Sequence, residues 1–338
     1  MVNKLAVIPP ERLSRNMLFT PSELSAYSLK FVEEMRAPCA YPWGVLELDN
    51  PKVFVPPRAG NVITIIARPG HGKTSVAAHL AKAAAAQIIK HGDPEHEAVV
   101  YVTLEQTVEE MNVFFQADAE YGITDVMSGE ISQEIVLRKA MERASLPIWV
   151  VGETGLDVER PHNRLTINAI YETLQNMRAV YGIIIKNLYL DYIQIVPTEN
   201  GTERVQQVTE GIIRAKELAR ALRCPITLCA QASREVDKQQ EQIPTLGSSG
   251  WSAAMEHVSS KMLGLWRPIL THKAGKVVSV ENRKYTITQQ LLIMKMLKQR
   301  YGPAGRVFAL ELTPNFAHLA KLEIDNHINW EGEDAEKV

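Results

Sequence analysis

Between residues 62 and 231, short apolar runs alternate with longer segments in which apolar residues recur every three or four positions. The runs at 62–67, 98–104, 148–152, 183–191 and 226–231 are rich in Val, Ile, Leu and Ala, the pattern of strands covered on both faces. The segments 74–91, 106–119, 132–145, 167–181 and 203–222 read as helices. This alternation predicts a mainly parallel sheet with right-handed crossovers, a doubly wound α/β domain. After Trp266 the rhythm changes. Residues 289–297 and 306–312 flank Tyr301-Gly302-Pro303-Ala304-Gly305, which predicts a C-terminal antiparallel hairpin. Upstream, Thr20-Pro21-Ser22-Glu23 has the form of a capping box with Pro at the first helical position. Leu24, Tyr27, Phe31 and Met35 follow at helical spacing, so a short amphipathic helix is expected over 21–36. Five prolines between 38 and 60 suggest an irregular lead-in. The expected organisation is an arm at 1–54, one domain at 55–325 and an acidic tail at 326–338 that is disordered.

Composition narrows the class. The 338 residues suffice for one large or two small domains, and 46% hydrophobic with 22% charged residues is ordinary globular content. No apolar run approaches the roughly 20 residues of a membrane span, and MVNKLAVIPPERL holds too short an apolar stretch for a signal peptide. Cys39, Cys224 and Cys229 lack metal-ligand spacing, so reduced thiols in a cytoplasmic protein are expected. A net charge of −2 argues against a uniformly basic nucleic-acid coat but is compatible with a locally basic channel.

The most informative chemistry lies at VITIIARPGHGKTSVAAHLAKAA. An apolar run enters the loop Arg68-Pro69-Gly70-His71, which ends in Gly72-Lys73-Thr74-Ser75 and opens into an Ala-rich helical pattern. A strand, a Gly-containing loop and a helix N-terminus make a phosphate cradle. Backbone N–H groups point inward, the helix dipole favours an anion, Lys73 reaches the terminal phosphates and Thr74 takes a Mg²⁺ position. The usual pattern opens with Gly, where this chain has Ala67.

In an open parallel sheet, ligands sit at the carboxyl ends of the strands. The second strand delivers Glu105 there, the fourth Asp191 and the fifth Gln231. Beside a phosphate cradle, Asp191 would orient water on Mg²⁺, directly or through Thr74. Glu105 would polarise the attacking water, and Gln231 would sense the γ-phosphate. An acidic residue at a strand end also serves as a helix cap, and Glu105, at the turn into a helix, carries that alternative.

The segments ARPGHGKTS, YVTLEQ, IWVVGETGL, LYLDYIQIV, ITLCAQASREVDK and MLKQRYGPAGRVFALEL, in this order, resemble the C-terminal ATPase domain of DnaB-family hexameric replicative helicases. That domain is a branch of the RecA-like P-loop fold. The family's P-loop commonly starts with Ala followed by Arg-Pro, as here. The resemblance implies an ATP- and Mg²⁺-dependent helicase that translocates on single-stranded DNA. The family's hairpin strand carries Lys-x-Arg into the neighbouring subunit's ATP site. Lys298-Gln299-Arg300 matches it, which makes Arg300 the implied arginine finger, Lys298 its partner and the assembly a homo-hexameric ring. The 21–36 helix fits the family's linker helix, which docks on the adjacent subunit. Residues 1–54 are too few for the family's N-terminal collar, so the collar is expected to be absent or supplied by another protein, with a separate loader or primase as partner.

The family's DNA-binding loops follow the fourth and fifth strands. They fall here on 197–204, ending in Arg204, and on 234–254, where Arg234 and Lys238 supply charge and Gly247, Ser248, Ser249 and Gly250 allow close backbone approach. Trp251 is read as either a base-stacking or a core aromatic. Where the family has an acidic-Arg run, this chain has Thr245-Leu246-Gly247-Ser248-Ser249. The alternative functions are a RecA/RadA-like recombination ATPase and a non-motor RecA-fold regulator. No Phe-x-x-Ala polymerisation motif stands in the arm to favour the former.

Overall fold

The computed structural model describes residues 19–36, 41–156, 165–195, 204–248 and 252–322, in two compact units divided after Cys39. The acidic tail, residues 197–203 and Ser249, Gly250 and Trp251 lie outside the described residues.

The first unit contains α1 (Pro21–Arg36). Its capping box forms as the sequence predicts: the Thr20 N–H donates to Glu23 Oε2 at 2.7 Å, and the Glu23 N–H donates to Thr20 Oγ1 at 3.2 Å. Leu24, Tyr27, Leu29, Phe31 and Val32 are exposed along it.

The second unit is one nine-stranded sheet flanked by helices, plus a two-stranded sheet. Its elements are β1 (Val62–Ala67), α2 (Lys73–His91), β2 (Glu97–Thr103), α3 (Val108–Gln116), α4 (Ile123–Ser128), α5 (Gln133–Ala144), β3 (Ile148–Val151), α6 (Ile167–Tyr181), β4 (Ile184–Asp191), α7 (Arg204–Leu222), β5 (Ile226–Gln231), α8 (Ser252–Val258), β6 (Lys261–Trp266), β7 (Val277–Val280), β8 (Arg283–Thr286), β9 (Leu291–Gln299), β10 (Val307–Thr313) and β11 (His318–Lys321). The large sheet runs β11-β10-β9-β6-β1-β5-β4-β2-β3. From β6 to β3 all neighbours are parallel, and β9, β10 and β11 extend it antiparallel. The buried apolar strands β1, β2, β4 and β5 pack against Ile170 and Leu174 of α6 and Ile212, Ala215 and Ala219 of α7. That burial is the reason these strands read as continuous apolar runs.

Three features depart from the sequence expectation. The helix expected over 106–119 forms as α3, and an unexpected short helix follows it: α3 ends at Gln116, and Asp118 takes the Glu120 and Tyr121 N–H groups in a turn before α4. β6 escapes the periodicity because it begins with Lys261 and contains Gly264. Lys261 is buried with its ammonium 5.5 Å from the centre of the Phe54 ring, and a Cβ on Gly264 would stand 2.9 Å from the Pro244 carbonyl oxygen. The proline-rich lead-in is core from Tyr41 onward, earlier than the expected boundary at 55. Tyr41, Trp43, Leu48 and Phe54 are buried, and the Tyr41 hydroxyl pairs with Thr227 Oγ1 at 2.7 Å.

His79 on α2 pins that lead-in. Its Nε2 donates to the Trp43 carbonyl at 2.6 Å and its Nδ1 accepts the Leu319 N–H at 3.2 Å, an arrangement only the neutral ring can make. Burial lowers its pKa from 6.5 to about 4. His71 is lowered to about 4 as well, by burial first and then by Lys73 and Arg267. Between pH 6.5 and 4 the unfolded histidines take up protons that the folded ones refuse, so stability falls as pH drops through that window. Each histidine accounts for on the order of 3 kcal/mol at full titration. Thermal melts between pH 7.5 and 4.5 should show this loss, and it should be smaller in His79→Gln, which does not titrate. An equal slope in that variant would exclude His79 as a source.

Candidate nucleotide site

The loop between β1 and α2 turns on two glycines in left-handed backbone, Gly70 at φ 78° and Gly72 at φ 87°. Gly72 is the N-cap of α2, with no side-chain cap and no acidic residue in the first turn. The helix therefore presents unsatisfied N–H groups and the positive end of its dipole to whatever lies in the loop. Pro69 and Gly70 are exposed, whereas Ser75 is buried.

Lys73 points back over the loop, its Nζ 3.5 Å from the Ala67 carbonyl. Burial lowers its pKa, while the nearby Cys229, Asp191 and Glu105 oppose that shift. The Thr74 hydroxyl donates to Asp191 Oδ2 at 2.7 Å. The other oxygen, Asp191 Oδ1, is buried without a hydrogen-bond partner. The Cys229 thiol nearby is held neutral, pushed well above its usual range by burial first and then by the Asp191 charge. The peptide between Asp191 and Tyr192 is cis.

Sheet register gathers the strand-end residues. Gln231 pairs with Ala67, the last residue before the loop, and Thr103 pairs with Asp191. The Leu104 N–H donates to the Asp191 carbonyl at 2.8 Å, so the exposed Glu105 follows directly on the paired end of β2. Glu105 is not the cap of α3. Thr107 is, with a complete capping box to Glu110, which leaves the Glu105 carboxylate free of that structural duty. The Gln231 carbonyl accepts the Gln194 side-chain amide at 3.0 Å.

Two loop side chains are committed to the protein. The His71 Nδ1 accepts the Arg267 N–H at 3.0 Å, so the ring is an anchor to the end of β6. Arg68 donates to Asp237 at 2.9 Å and to the Ala232 carbonyl at 3.0 Å, tying the loop to the short 3₁₀ turn Arg234–Lys238 after β5. Sequence reasoning missed Arg267, because β6 was not expected. It lies against the loop, with Nη1 3.5 Å from the Gly70 carbonyl.

The fold and this strand–loop–helix arrangement match known proteins. The DnaB-like helicase C-terminal domain family covers residues 44–320. The chain belongs to that family. It is 27% identical over 270 residues to the replicative DNA helicase DnaB of Mycoplasma genitalium, covering 78% of this chain and 53% of that protein. To the replicative DNA helicase DnaB of Rickettsia typhi it is 26% identical over 300 residues, covering 83% and 56%. The chain thus spans about half the length of the curated relatives it matches. Among solved structures, an isolated ATPase domain superposes with a TM-score of 0.70 at 20% identity, covering 90% of this chain and 99% of that one. A DnaB-like replicative helicase solved for its interactions with primase superposes at 0.67 and 20% identity, covering 90% and 68%. The doubly wound α/β architecture read from the alternating pattern is therefore the fold of this DnaB-like domain.

The other expected site residues fall on the segments after β4 and β5 and on β9 with the turn that follows it. Arg234 and Lys238 are exposed on the 3₁₀ turn that Arg68 holds. Arg204 opens α7, and nothing is described of its side chain. Ser249 and Gly250 fall outside the described residues. Lys298 donates to the Glu256 carbonyl, and Arg300 donates through Nη2 to the His257 carbonyl at 3.1 Å. The register fixes where this pair stands. Gln299 pairs with Lys261, Lys261 pairs with Ile63, and the Arg300 N–H donates to the Ser260 carbonyl at 2.9 Å. Arg300 is therefore level with the start of β1, while the loop follows its end, roughly 16 Å further along the strand at 3.3 Å per residue.

Proposed function

We propose that this domain is the motor of an ATP-dependent DNA helicase that hydrolyses ATP at subunit interfaces and moves along single-stranded DNA. The bond joining Thr74 to Asp191 at the mouth of an uncapped helix carries the reading. The Thr74 hydroxyl and the buried, partnerless Asp191 Oδ1 would hold a Mg²⁺, Asp191 orienting water on it. Mg²⁺ would supply charge neutralisation between the β- and γ-phosphates.

The chain's own groups divide the remaining work. Backbone N–H groups of the loop and Lys73 hold the phosphates. Glu105 accepts the proton of the attacking water, and Gln231 reads the γ-phosphate. Its position beside Ala67 and its carbonyl bond to Gln194 link that reading to the segments after β4 and β5. Arg204, Arg234 and Lys238 would meet DNA phosphates, with Ser249 and Gly250 allowing backbone approach.

Arg300 is out of reach of its own loop, which supports action on a neighbour's nucleotide, with Lys298 beside it. A head-to-tail contact of that kind closes into a ring, here a homo-hexamer. The exposed apolar residues of α1 suit docking on an adjacent subunit. Primase, with which one structural relative interacts, and a loader are the further partners proposed, in the cytoplasm. No described helix is long and apolar enough to cross a membrane.

The reading is tested by measuring ATPase stimulation by single-stranded DNA beside unwinding of a forked duplex. Both activities are expected. Stimulation without unwinding on any fork would favour a recombination-type ATPase, and the absence of both would favour a non-motor regulator.

A further inference from the structure

We propose that Tyr101 is a positioning residue that orients Asp191 for the metal, an inference that rests on the nucleotide reading above. Tyr101 stands on β2, in register with Tyr189 and two residues before Thr103, the partner of Asp191. Two residues of strand span about 6.6 Å, a distance a phenol covers from its own backbone. The Tyr101 hydroxyl accordingly donates to Asp191 Oδ2 at 2.9 Å.

The arrangement has three consequences. Thr74 and Tyr101 both donate to Oδ2, from α2 on one side and β2 on the other, so the carboxylate is held from two elements. Both donors converge on one oxygen, which leaves Oδ1 as the buried acceptor without a partner, the atom available to a metal-bound water. The Tyr101 ring is itself immobile. It is fully buried, stacks on Tyr189 with centroids 6.0 Å apart, and meets Phe115 edge-on at 5.5 Å. A donor held by packing against two rings and aimed at the one carboxylate that Thr74 also holds is a support for that carboxylate's orientation. Within the apolar run VVYVT, the tyrosine would otherwise read as core.

The test uses Tyr101→Phe, which keeps the ring and removes only the donor. Binding of a fluorescent ATP analogue is titrated in EDTA and then at rising Mg²⁺. The half-saturating Mg²⁺ concentration should rise about tenfold in the variant, as for loss of an outer-shell support. Nucleotide affinity in EDTA and the melting temperature of the nucleotide-free protein should stay close to wild type. An unchanged Mg²⁺ requirement overturns the inference. An equal loss of affinity with and without Mg²⁺ also overturns it, because that is the signature of a packing role. Wild-type binding that ignores Mg²⁺ overturns the nucleotide reading and this inference with it. A second measurement avoids the substitution: fluorotyrosine incorporated at position 101 should shift its fluorine resonance when Mg²⁺ joins the nucleotide complex. A resonance that does not move on Mg²⁺ addition contradicts the proposal.

Discussion

Lys73→Ala should abolish ATP hydrolysis, lowering turnover by at least about 100-fold, the scale on which removal of a single preorganised charge or donor acts. It should weaken nucleotide binding as well. Lys73 lies over the loop beside Ala67, in a setting that already costs it solvation: burial lowers its pKa against the pull of Cys229, Asp191 and Glu105. An ammonium held where its charge is poorly hydrated gains more from an arriving phosphate than an exposed one does. The fold should survive, because α2 starts at a helix end that no side chain caps and Ala is a good helix former. Steady-state hydrolysis and equilibrium binding of the nucleotide measure the two losses. Turnover near wild type would remove the phosphate cradle from the account.

Arg300→Ala should be as severe for hydrolysis and nearly silent for binding. Its guanidinium stands level with the start of β1 and donates to the His257 carbonyl, its backbone N–H is held by the Ser260 carbonyl, and no rotation of its side chain spans the strand to its own loop. In the proposed ring its charge would act on a neighbour's γ-phosphate, where an arginine finger contributes on the order of 10³-fold or more in rate. Each subunit keeps an intact cradle, so nucleotide affinity measured on the variant should change little. The bond to His257 must break for the side chain to cross the interface, and the exposure of Arg300 allows it.

How far this site could be read from the chain depended on how local its parts are. The cradle was fully legible, because the strand, the glycines that must take positive φ, and the helix start fall within one short stretch. Asp191 and Gln231 were legible as polar residues closing apolar runs, although their meeting with the loop needed the β1–β5–β4 order. Glu105 carried two readings in the sequence, and Thr107 as the cap of α3 removes the capping one. What stayed hidden was nonlocal. Trp43 and Tyr41 sit among prolines with no period, and their burial depends on His79 and Thr227, distant in sequence. β6 was masked by a buried lysine and a glycine. Without β6 neither Arg267 beside the loop nor the opposite-end position of Arg300 could be inferred. The anchoring of the His71 ring was equally hidden, because the backbone N–H that it accepts comes from the end of β6.

The shared site is tested most directly by steady-state ATPase on mixtures of Lys73→Ala and Arg300→Ala subunits, with single-stranded DNA present and time allowed for subunit exchange. Each variant alone should be inactive. In the mixture, interfaces that join the cradle of an Arg300→Ala subunit to the finger of a Lys73→Ala subunit are intact, so activity should reappear and peak at intermediate ratios. No rescue at any ratio, together with a monomeric mass in the presence of ATP and DNA, would contradict both the finger and the ring.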